Sequence, residues 1–297
     1  VHTDETARRA LHSLDKKAVL TLDGSSIRRV GFDGQVEHSA QADLGHTDFV
    51  EVEDGIYAIL VRVLVEYEEG TRTIMGDAIV EVNAEGDQTQ IWSAFDEFSP
   101  DLSVQFNEFD LDGTGIIVED WTHANGISYN ESEDAYLVVL SKFEAIAQID
   151  RSTGTMNWLI AEPSIYGVED ADEPHGDFDN GGESLIVAPH SAHQIDESTV
   201  VVFNRHHGNS NECSEITEIT LDHEAATASR TWTYETEDCL YVYYLGDALP
   251  LSGGNTLAIW TTSGRMEQVT PAGESVWRVE LEVGTTFGFS DFSESLY

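Results

Sequence analysis

Positive charge is scarce in this sequence. Its 297 residues include 14 lysines and arginines against 56 aspartates and glutamates, a formal net charge of −42 at pH 7. Only three of the cations are lysines, namely Lys16, Lys17 and Lys142. No basic stripe is present to neutralise phosphates, so we expect no nucleic-acid partner. Acid spread along the whole chain is typical of a halophilic surface, because molar salt shortens the Debye length to about 3 Å. The alternative is an acidic protein without a salt requirement.

Long apolar runs and cysteines are also scarce. No run of 18 apolar residues occurs, so we expect no membrane span. The chain opens at Val1 rather than at methionine, which predicts a removed signal peptide and a secreted or periplasmic protein. The two cysteines, Cys213 and Cys239, lack CxxC or Cys-His metal spacing and predict one disulfide, with two free thiols as the alternative. No pattern predicts the oligomeric state.

Strand patterns dominate the rest of the chain. Helical periodicity appears once, within residues 1–18, where Ala7, Ala10, Leu11 and Leu14 share the spacing of one helix face. After this segment, short β-rich runs separated by Gly, Asp and Asn turns predict an all-β fold. The clearest runs are residues 57–65, 78–82, 135–140, 199–203 and 256–260.

These runs form repeating units that end in a tryptophan. The four tryptophans are Trp92, Trp158, Trp232 and Trp277, and a fifth unit around residues 27–36 lacks one. The spacing is compatible with four-stranded blades, in which the tryptophans would pack between neighbouring blades. We therefore predict a single β-propeller domain over residues 1–297, with five or six blades and six favoured, after a short N-terminal helix.

Two acidic insertions interrupt the repeats. One lies at residues 110–115, and the other carries its acids at 169–183 within a predicted loop at 163–184. Several carboxylates in one loop can bind calcium, but neither insertion has the full EF-hand spacing. A solvated loop is the preferred interpretation of both.

Histidines precede several of the predicted inner strands. His46, His123 and His190 each stand before a strand and its turn, and Asp247 stands in the analogous place in the last unit. In a propeller the first strand of each blade lines the central channel, so polar groups at equivalent strand starts converge there. We interpret the three histidines as a functional site.

The histidines lie in motifs that resemble those of a known family. Residues 120–129 read DWTHANGISY and lead to VVLSKFEAIAQIDRSTGTMNW at 138–158. Downstream motifs are PHSAHQI at 189–195 with VFN at 202–204, and GDALPLSGGNT at 246–256 with GESVW at 273–277. Together they resemble the bacterial arylsulfotransferase family over about residues 40–280, most specifically in the central part.

The resemblance implies a propeller enzyme that moves a sulfuryl group between phenols through a histidine intermediate. It places His190 as the nucleophile, with His123, His46 and Lys142 in catalysis. A neutral imidazole is a competent nucleophile, and a covalent intermediate divides the transfer into two easier steps. The resemblance also assigns substrate binding to Asn125, His193 and Asp247, without a required cofactor.

Three places depart from the family pattern, one of them residues 289–292, which stand where an arginine-containing turn is usual. Lys142 stands where the family has an arginine after serine, so the charge remains but the planar fork that engages two oxygens is lost. A second family arginine falls at about Glu215, which reverses the charge.

Two other functions fit the same residues. His46, His123 and His190, joined by His193, His206, His207 or Asp247, could bind zinc or calcium in a hydrolase or lyase. A non-catalytic propeller could use the channel to bind a small aromatic or anionic ligand. Metal content and turnover of an aryl sulfate separate these alternatives.

Overall fold

Strands make up nearly all of the described structure. The computed structural model describes residues 9–162, 165–169, 176–206, 212–282, 288 and 291–292. Five sheets follow one another along the chain; four of them have four strands paired in sequence order, and the second has two additional strands paired beside its third strand. This confirms the all-β propeller and corrects the favoured blade number from six to five. The length that a sixth blade would need is used by insertions in the second blade and between the third and fourth blades.

The strands of the five blades have the following bounds. Blade 1 contains β1 (Arg9–His12), β2 (Ala18–Asp23), β3 (Ser26–Gly31) and β4 (Val36–Gln41). Blade 2 contains β5 (Gly45–Glu53), β6 (Ile56–Tyr67), β7 (Arg72–Asn83) and β8 (Gln88–Ser93), with an added hairpin of β9 (Asn107–Asp110) and β10 (Ile117–Asp120). Blade 3 contains β11 (Ala124–Asn130), β12 (Ala135–Leu140), β13 (Ala145–Asp150) and β14 (Met156–Ala161). Blade 4 contains β15 (Pro189–Asp196), β16 (Thr199–Asn204), β17 (Glu215–Asp222) and β18 (Thr227–Tyr234). Blade 5 contains β19 (Asp247–Pro250), β20 (Thr256–Trp260), β21 (Arg265–Val269) and β22 (Ser275–Glu280).

Helices are short in the described residues. One α-helix, α1 (Ala94–Glu97), follows β8, and its preceding residue Ser93 accepts a hydrogen bond from the Phe95 amide through its side chain. Single 3-10 turns occur at Glu68–Gly70, Leu111–Gly113, Ser141–Phe143 and Thr261–Ser263.

The predicted N-terminal helix is wrong where the structure describes it. Residues 1–8 lie outside the described residues, and from Arg9 the chain is strand β1, paired antiparallel with Val19–Leu22. The helical spacing of a few small apolar residues is a weak local preference, and pairing with β2 overrides it. The N-terminal segment therefore completes blade 1.

Burial explains the composition of the strands. All six residues of β12 are buried, because a middle strand is covered by the neighbouring blades on both faces and so reads as a continuous apolar run. In β22, at the outer edge of blade 5, five of six residues are exposed. The first strands contact one another in the order β1, β5, β11, β15 and β19, which makes them the inner ring.

The hydrophobic core is divided into clusters between neighbouring blades. Trp92 belongs to the cluster between blades 2 and 3, and Trp158 to that between blades 3 and 4. Trp232 packs against the cluster of blades 4 and 5. Trp277 is 48% exposed in the described structure, so the predicted packing role is wrong there.

The predicted disulfide is confirmed. Cys213 and Cys239 are bonded across the open end of the β17–β18 hairpin. Of the described chain, no helix is long and apolar enough to cross a membrane.

The acidic insertions differ in structure. Residues 110–115 form the turn of the β9–β10 hairpin, in which Asp110 accepts a hydrogen bond from the Gly115 amide at 2.7 Å. In the second insertion Asp177 accepts from the Leu159 amide at 2.6 Å. Residues 163, 164 and 170–175 lie outside the described residues, so part of the predicted loop at 163–184 is not described.

Candidate active site in the centre of the propeller

Three blades begin with the same backbone geometry. Leu44, His123 and Ala188 have left-handed backbone conformations, with φ of 58°, 52° and 46°. Each of their carbonyl oxygens accepts a hydrogen bond from the second strand of its blade or from the residue directly after it. The donors are the amides of Arg62 at 3.1 Å, Ser141 at 3.2 Å and Arg205 at 3.4 Å. Leu44, His123 and Ala188 are therefore structurally equivalent.

The equivalent inward positions follow two residues later. They are His46, Asn125 and His190, and Asp247 takes this place in blade 5 because it also lies two residues after a left-handed residue. The prediction that the three histidines share one position is therefore wrong for His123, and Asn125 occupies the shared position in blade 3. The backbone conformation, rather than the residue pattern, determines that the shared position in blade 3 lies two residues after His123.

A register shift falls at this position in three blades. The shifts lie within residues 45–49 of β5, 124–126 of β11 and 189–192 of β15. Such a β-bulge leaves residues unpaired and redirects their side chains, which is why bulges occur beside active sites. The polar residues of the inner ring thus lie in locally irregular strands.

His190 is buried and neutral. Only 3% of the residue is exposed, and Nδ1 lies 3.1 Å from the carbonyl oxygen of Gly246 in blade 5. Because a carbonyl only accepts, Nδ1 carries the proton and Nε2 keeps its lone pair. Burial, assisted by the charge of Arg205, lowers the pKa of His190 to about 3. The imidazole is therefore in its nucleophilic form at neutral pH.

Two glycines allow the neighbouring blades to approach His190. Gly246 has φ of 109°, and a Cβ there would overlap the ring of Phe203. A Cβ on Gly126 of β11 would lie 2.8 Å from the His190 carbonyl oxygen. A larger residue at either place would shift the backbone around the histidine.

His46 is held by a buried carboxylate. Its Nε2 lies 2.8 Å from Asp77 Oδ1, and its Nδ1 lies 2.8 Å from Thr47 Oγ1. The other Asp77 oxygen accepts from the Thr122 hydroxyl and, at 2.7 Å, from the Ala124 amide. Burial raises the pKa of Asp77, but the hydrogen bond and charge of His46 outweigh this and hold it below its usual range. These contacts connect His46 to the start of blade 3 and suit a positioning role.

An ion-pair network joins four blades in the middle of the ring. Arg9 Nε lies 3.1 Å from Asp48, and Arg9 Nη1 lies 3.3 Å from Asp247. His193 Nε2 lies 3.0 Å from the other Asp247 oxygen. Burial raises the pKa of Asp48 to about 6. Burial also acts to raise the pKa of Asp247, but His193 and Arg9 hold it below its usual range. Asp247 and His193, both predicted to bind substrate, thus contact each other.

His123 faces a pocket of about 560 Å³. Its side chain is 49% exposed, and Nδ1 lies 2.6 Å from Asp120. Lys142 lines the same pocket, together with Ser141 and Arg205. The pocket therefore combines a histidine with two cationic side chains.

This pocket lies beside His190. Ala188 lines it and precedes His190 by two residues in the chain. The charges of Arg205 and His123, both on the pocket wall, act to lower the pKa of His190. The structure thus brings His123 and Lys142 to one cavity and His190 next to it, whereas His46, His193 and Asp247 belong to the buried networks.

Asn125 contributes a buried donor. The residue is 5% exposed, and its Nδ2 has no hydrogen-bond partner within the described ranges. A buried donor left unsatisfied costs about 1–3 kcal/mol, so such groups call for an explanation such as a ligand or a water molecule. This observation supports the predicted substrate-binding role.

No metal-binding group is assembled in the described part of the chain. No cluster of three or more His, Cys, Asp or Glu side chains could hold an ion there. His46, His123 and His190 contact different groups, and His206 pairs with Glu212 and Glu215. His207 lies outside the described residues.

The comparisons with known proteins identify the family. The family described as Arylsulfotransferase (ASST) matches residues 1–284. The chain belongs to the arylsulfotransferase family. Among curated proteins, no significant match is found.

Solved structures support the propeller fold of this arylsulfotransferase-family chain. The β-propeller domain of Myceliophteria thermophila Cps50 (Swd1) is 9% identical with a TM-score of 0.51, over 96% of this chain and 76% of that one. A Bacteroides caccae protein of unknown function is 13% identical with a TM-score of 0.50, over 96% and 86%. The periplasmic gluconolactonase PpgL of Pseudomonas aeruginosa is 11% identical with a TM-score of 0.50, over 95% and 87%. At such identities the likeness concerns the fold alone.

Sequence reasoning missed four residues around the site of this family member. Asp77 and Asp48 could not be distinguished from the many other acidic residues of the sequence. Arg9 lies in the segment that was predicted to be helical. Arg205 had a usable signal, because it is a rare cation two residues after the predicted strand at 199–203.

Proposed function

We propose that the protein transfers a sulfuryl group from an aryl sulfate to a phenol through His190. Membership of the arylsulfotransferase family supports the reaction class. The observation that carries the proposal is the buried His190 imidazole, whose Nδ1 is engaged by the Gly246 carbonyl and whose pKa burial lowers to about 3. A neutral imidazole with a defined lone pair on Nε2 is prepared to attack sulfur.

The proposed reaction has two steps, transfer of the sulfuryl group to His190 and transfer from His190 to the acceptor. In the first, Nε2 of His190 attacks sulfur, an N–S bond forms, and the S–O bond to the donor breaks with release of a phenolate. His123 faces the adjacent pocket and protonates this leaving oxygen. In the second, the acceptor phenol gives its proton to His123, which lost one in the first step; the phenol oxygen attacks sulfur, and the N–S bond to His190 breaks.

Cations on the pocket wall assist both steps. Negative charge spreads over the peripheral sulfuryl oxygens in the transition state, so fixed positive groups nearby stabilise it. Lys142 is placed for this purpose in the same pocket as His123. Lys142→Ala should depress turnover, whereas Lys142→Arg should retain or increase it.

Covalent trapping tests the mechanism. Incubation with 4-nitrophenyl sulfate without an acceptor should leave a sulfuryl group on His190, detected by mass spectrometry of peptides. Addition of phenol should remove the adduct, and steady-state kinetics should be ping-pong. His190→Ala should lose activity while remaining folded. His223→Ala is the matched control, because His223 is exposed on the turn after β17, outside the pocket.

Other outcomes would contradict this proposal. Full activity of His190→Ala would exclude the covalent intermediate. Activity abolished by a chelator and restored by zinc or calcium would favour the metal-dependent hydrolase or lyase. Binding of aryl sulfates without turnover would favour the non-catalytic propeller.

We also infer that the protein works outside the cytoplasm. The Cys213–Cys239 disulfide supports this location, because such bonds persist in oxidising compartments. Fractionation of the native cells checks the location directly, and recovery of the protein in the cytoplasm would contradict it.

A further inference from the structure

Arg205 and Lys142 differ from the other cations in their surroundings. Most described arginines contact a carboxylate, as in Arg72–Glu119, Arg151–Glu81 and Arg265–Asp238, each at 2.7 Å. This is expected in a chain with 56 acids and 14 cations. Within the described ranges, Arg205 and Lys142 have no ion-pair partner, and both line the pocket beside His190. These two cations therefore share one cavity, whereas Lys16, which also has no ion pair among the described residues, is exposed on a turn.

The position of Arg205 is set by hydrogen bonds rather than by charge. Its Nε donates to the Ala188 carbonyl oxygen at 3.0 Å, and its Nη2 donates to Ser141 Oγ at 3.0 Å. These contacts use two of the five guanidinium N–H groups. They also fix the guanidinium next to Ser141, whose chain neighbour is Lys142. Burial lowers the pKa of Arg205, which reflects the cost of desolvating its charge.

We infer that Arg205 and Lys142 together bind the oxyanion of the substrate, with Arg205 as a specificity-determining residue of the pocket. The identification of this anion as the sulfuryl group rests on the proposed function. A planar guanidinium can give two parallel hydrogen bonds to two oxygens of one group, and the lysine adds a mobile point charge. Arg205, which lies on the neighbouring blade, thereby supplies the planar two-donor group that a lysine lacks.

The pocket wall also carries carboxylates, whose negative charge should weaken anion binding. Glu144 and Glu162 also line the pocket. Burial raises the pKa of Glu144, which favours its neutral form. Glu162 accepts a hydrogen bond from Ser184 at 2.8 Å and opposes an incoming anion. Removal of the Glu162 charge should therefore strengthen anion binding.

Calorimetric titration at one fixed salt concentration tests the inference. The ligands are inorganic sulfate, 4-nitrophenyl sulfate and 4-nitrophenol. We expect Arg205→Gln to weaken binding of both sulfates by about tenfold or more and to leave 4-nitrophenol binding unchanged. Arg205→Lys should lie between this variant and the wild type. Glu162→Gln should bind both sulfates more tightly.

Matched controls remove a charge outside the pocket. Arg28→Gln and Lys17→Gln remove surface cations that pair with Asp23 and Asp15. Both should bind sulfate like the wild type, which separates a local contact from a general change in net charge. Thermal melting of each variant identifies loss of folding, and Arg205→Lys retains the charge if Arg205→Gln does not fold.

The outcomes separate this inference from the proposed function. Equal sulfate affinity in Arg205→Gln and wild type would overturn the inference, even in an active enzyme. A parallel loss of 4-nitrophenol affinity would also overturn it, because the residue would then only shape the pocket. Arg205-dependent sulfate binding without an adduct on His190 would support the anion site and contradict the transfer mechanism.

Discussion

Burial gives the site histidines different chemical properties. His190 is 3% exposed and faces a carbonyl oxygen, whereas the His123 side chain is 49% exposed and faces the Asp120 carboxylate. Desolvation favours the neutral form of His190, whereas the His123 side chain is open to the pocket and contacts a carboxylate. The same residue type can thus provide a nucleophile at one position and a proton donor at another.

The low pKa of His190 predicts an unusual pH profile. Its pKa of about 3 in the folded protein lies below the ordinary value, so the imidazole stays neutral as the pH falls. At saturating donor, the single-turnover rate of the first transfer should not fall as the pH is lowered from about 8 to about 5, because His190 stays neutral over this range. Quenched samples analysed by chromatography give this rate. A fall centred near pH 6.5 would show that a histidine with an ordinary pKa is the nucleophile.

The same shift affects stability with a definite sign. Between about pH 6.5 and about pH 3 the unfolded chain binds a proton at His190 that the folded protein does not. Stability from this residue is therefore complete above this window and is lost as the pH falls through it. His190→Gln should show a shallower loss of unfolding free energy across this window than the wild type.

Among the secondary-structure elements, the inner strands determine the site through their irregularities. Register shifts in β5, β11 and β15 coincide with His46, Asn125 and His190. Close approach of β11 to β15 depends on Gly126, since a Cβ there would lie 2.8 Å from the His190 carbonyl oxygen. The spacing of two blades is therefore coupled to the position of the nucleophile.

Substitution of Gly126 tests this coupling. Gly126→Ala should force the two strands apart, lower the unfolding free energy by about 1–3 kcal/mol and reduce turnover. Gly253→Ala is the matched control, because nothing lies within 4 Å of a Cβ there. Denaturant unfolding and steady-state kinetics measure both effects. Wild-type stability and turnover of Gly126→Ala would show that blades 3 and 4 can accommodate the added methyl group without displacing His190.

The disulfide acts on a single hairpin of blade 4. Cys213 precedes β17 and Cys239 follows β18, and the Ser214 amide donates to the Leu240 carbonyl oxygen at 2.8 Å beside the bond. The double variant Cys213→Ser with Cys239→Ser should lower the unfolding free energy by about 2–4 kcal/mol, because the unfolded chain gains freedom. Denaturant unfolding of the wild type with and without reductant provides the comparison. An unchanged midpoint would indicate that the hydrogen bonds around the hairpin suffice.

The whole molecule carries a strong excess of negative charge. With a net charge of −42, repulsion among the acids opposes the compact state in dilute buffer and is screened in concentrated salt. We expect the melting temperature to rise from low to molar sodium chloride. Calorimetry at several salt concentrations checks this, and a flat melting temperature would contradict a halophilic surface.

Local patterns in the sequence determined most of the blades. The predicted runs at residues 135–140 and 256–260 match β12 and β20, because middle strands of a propeller are apolar on both faces and need no distant information to be recognised. The regular tryptophans marked the last strands of four blades. The preference for six blades over five and the helix at β1 were wrong, because insertions and the pairing of Arg9–His12 with β2 depend on distant contacts.

The sequence by itself determined the family, the acidic charge and the candidate histidines, since each depends on residue identity and order alone. Only the tertiary structure decided which polar groups meet. Left-handed residues and register shifts place Asn125, rather than His123, in the position of His46 and His190. Folding also brings Arg205 from the end of one blade's strand against Ser141 of the next blade, 64 residues away in the chain. Such contacts arise from the packing of neighbouring blades against each other, and no local pattern encodes them.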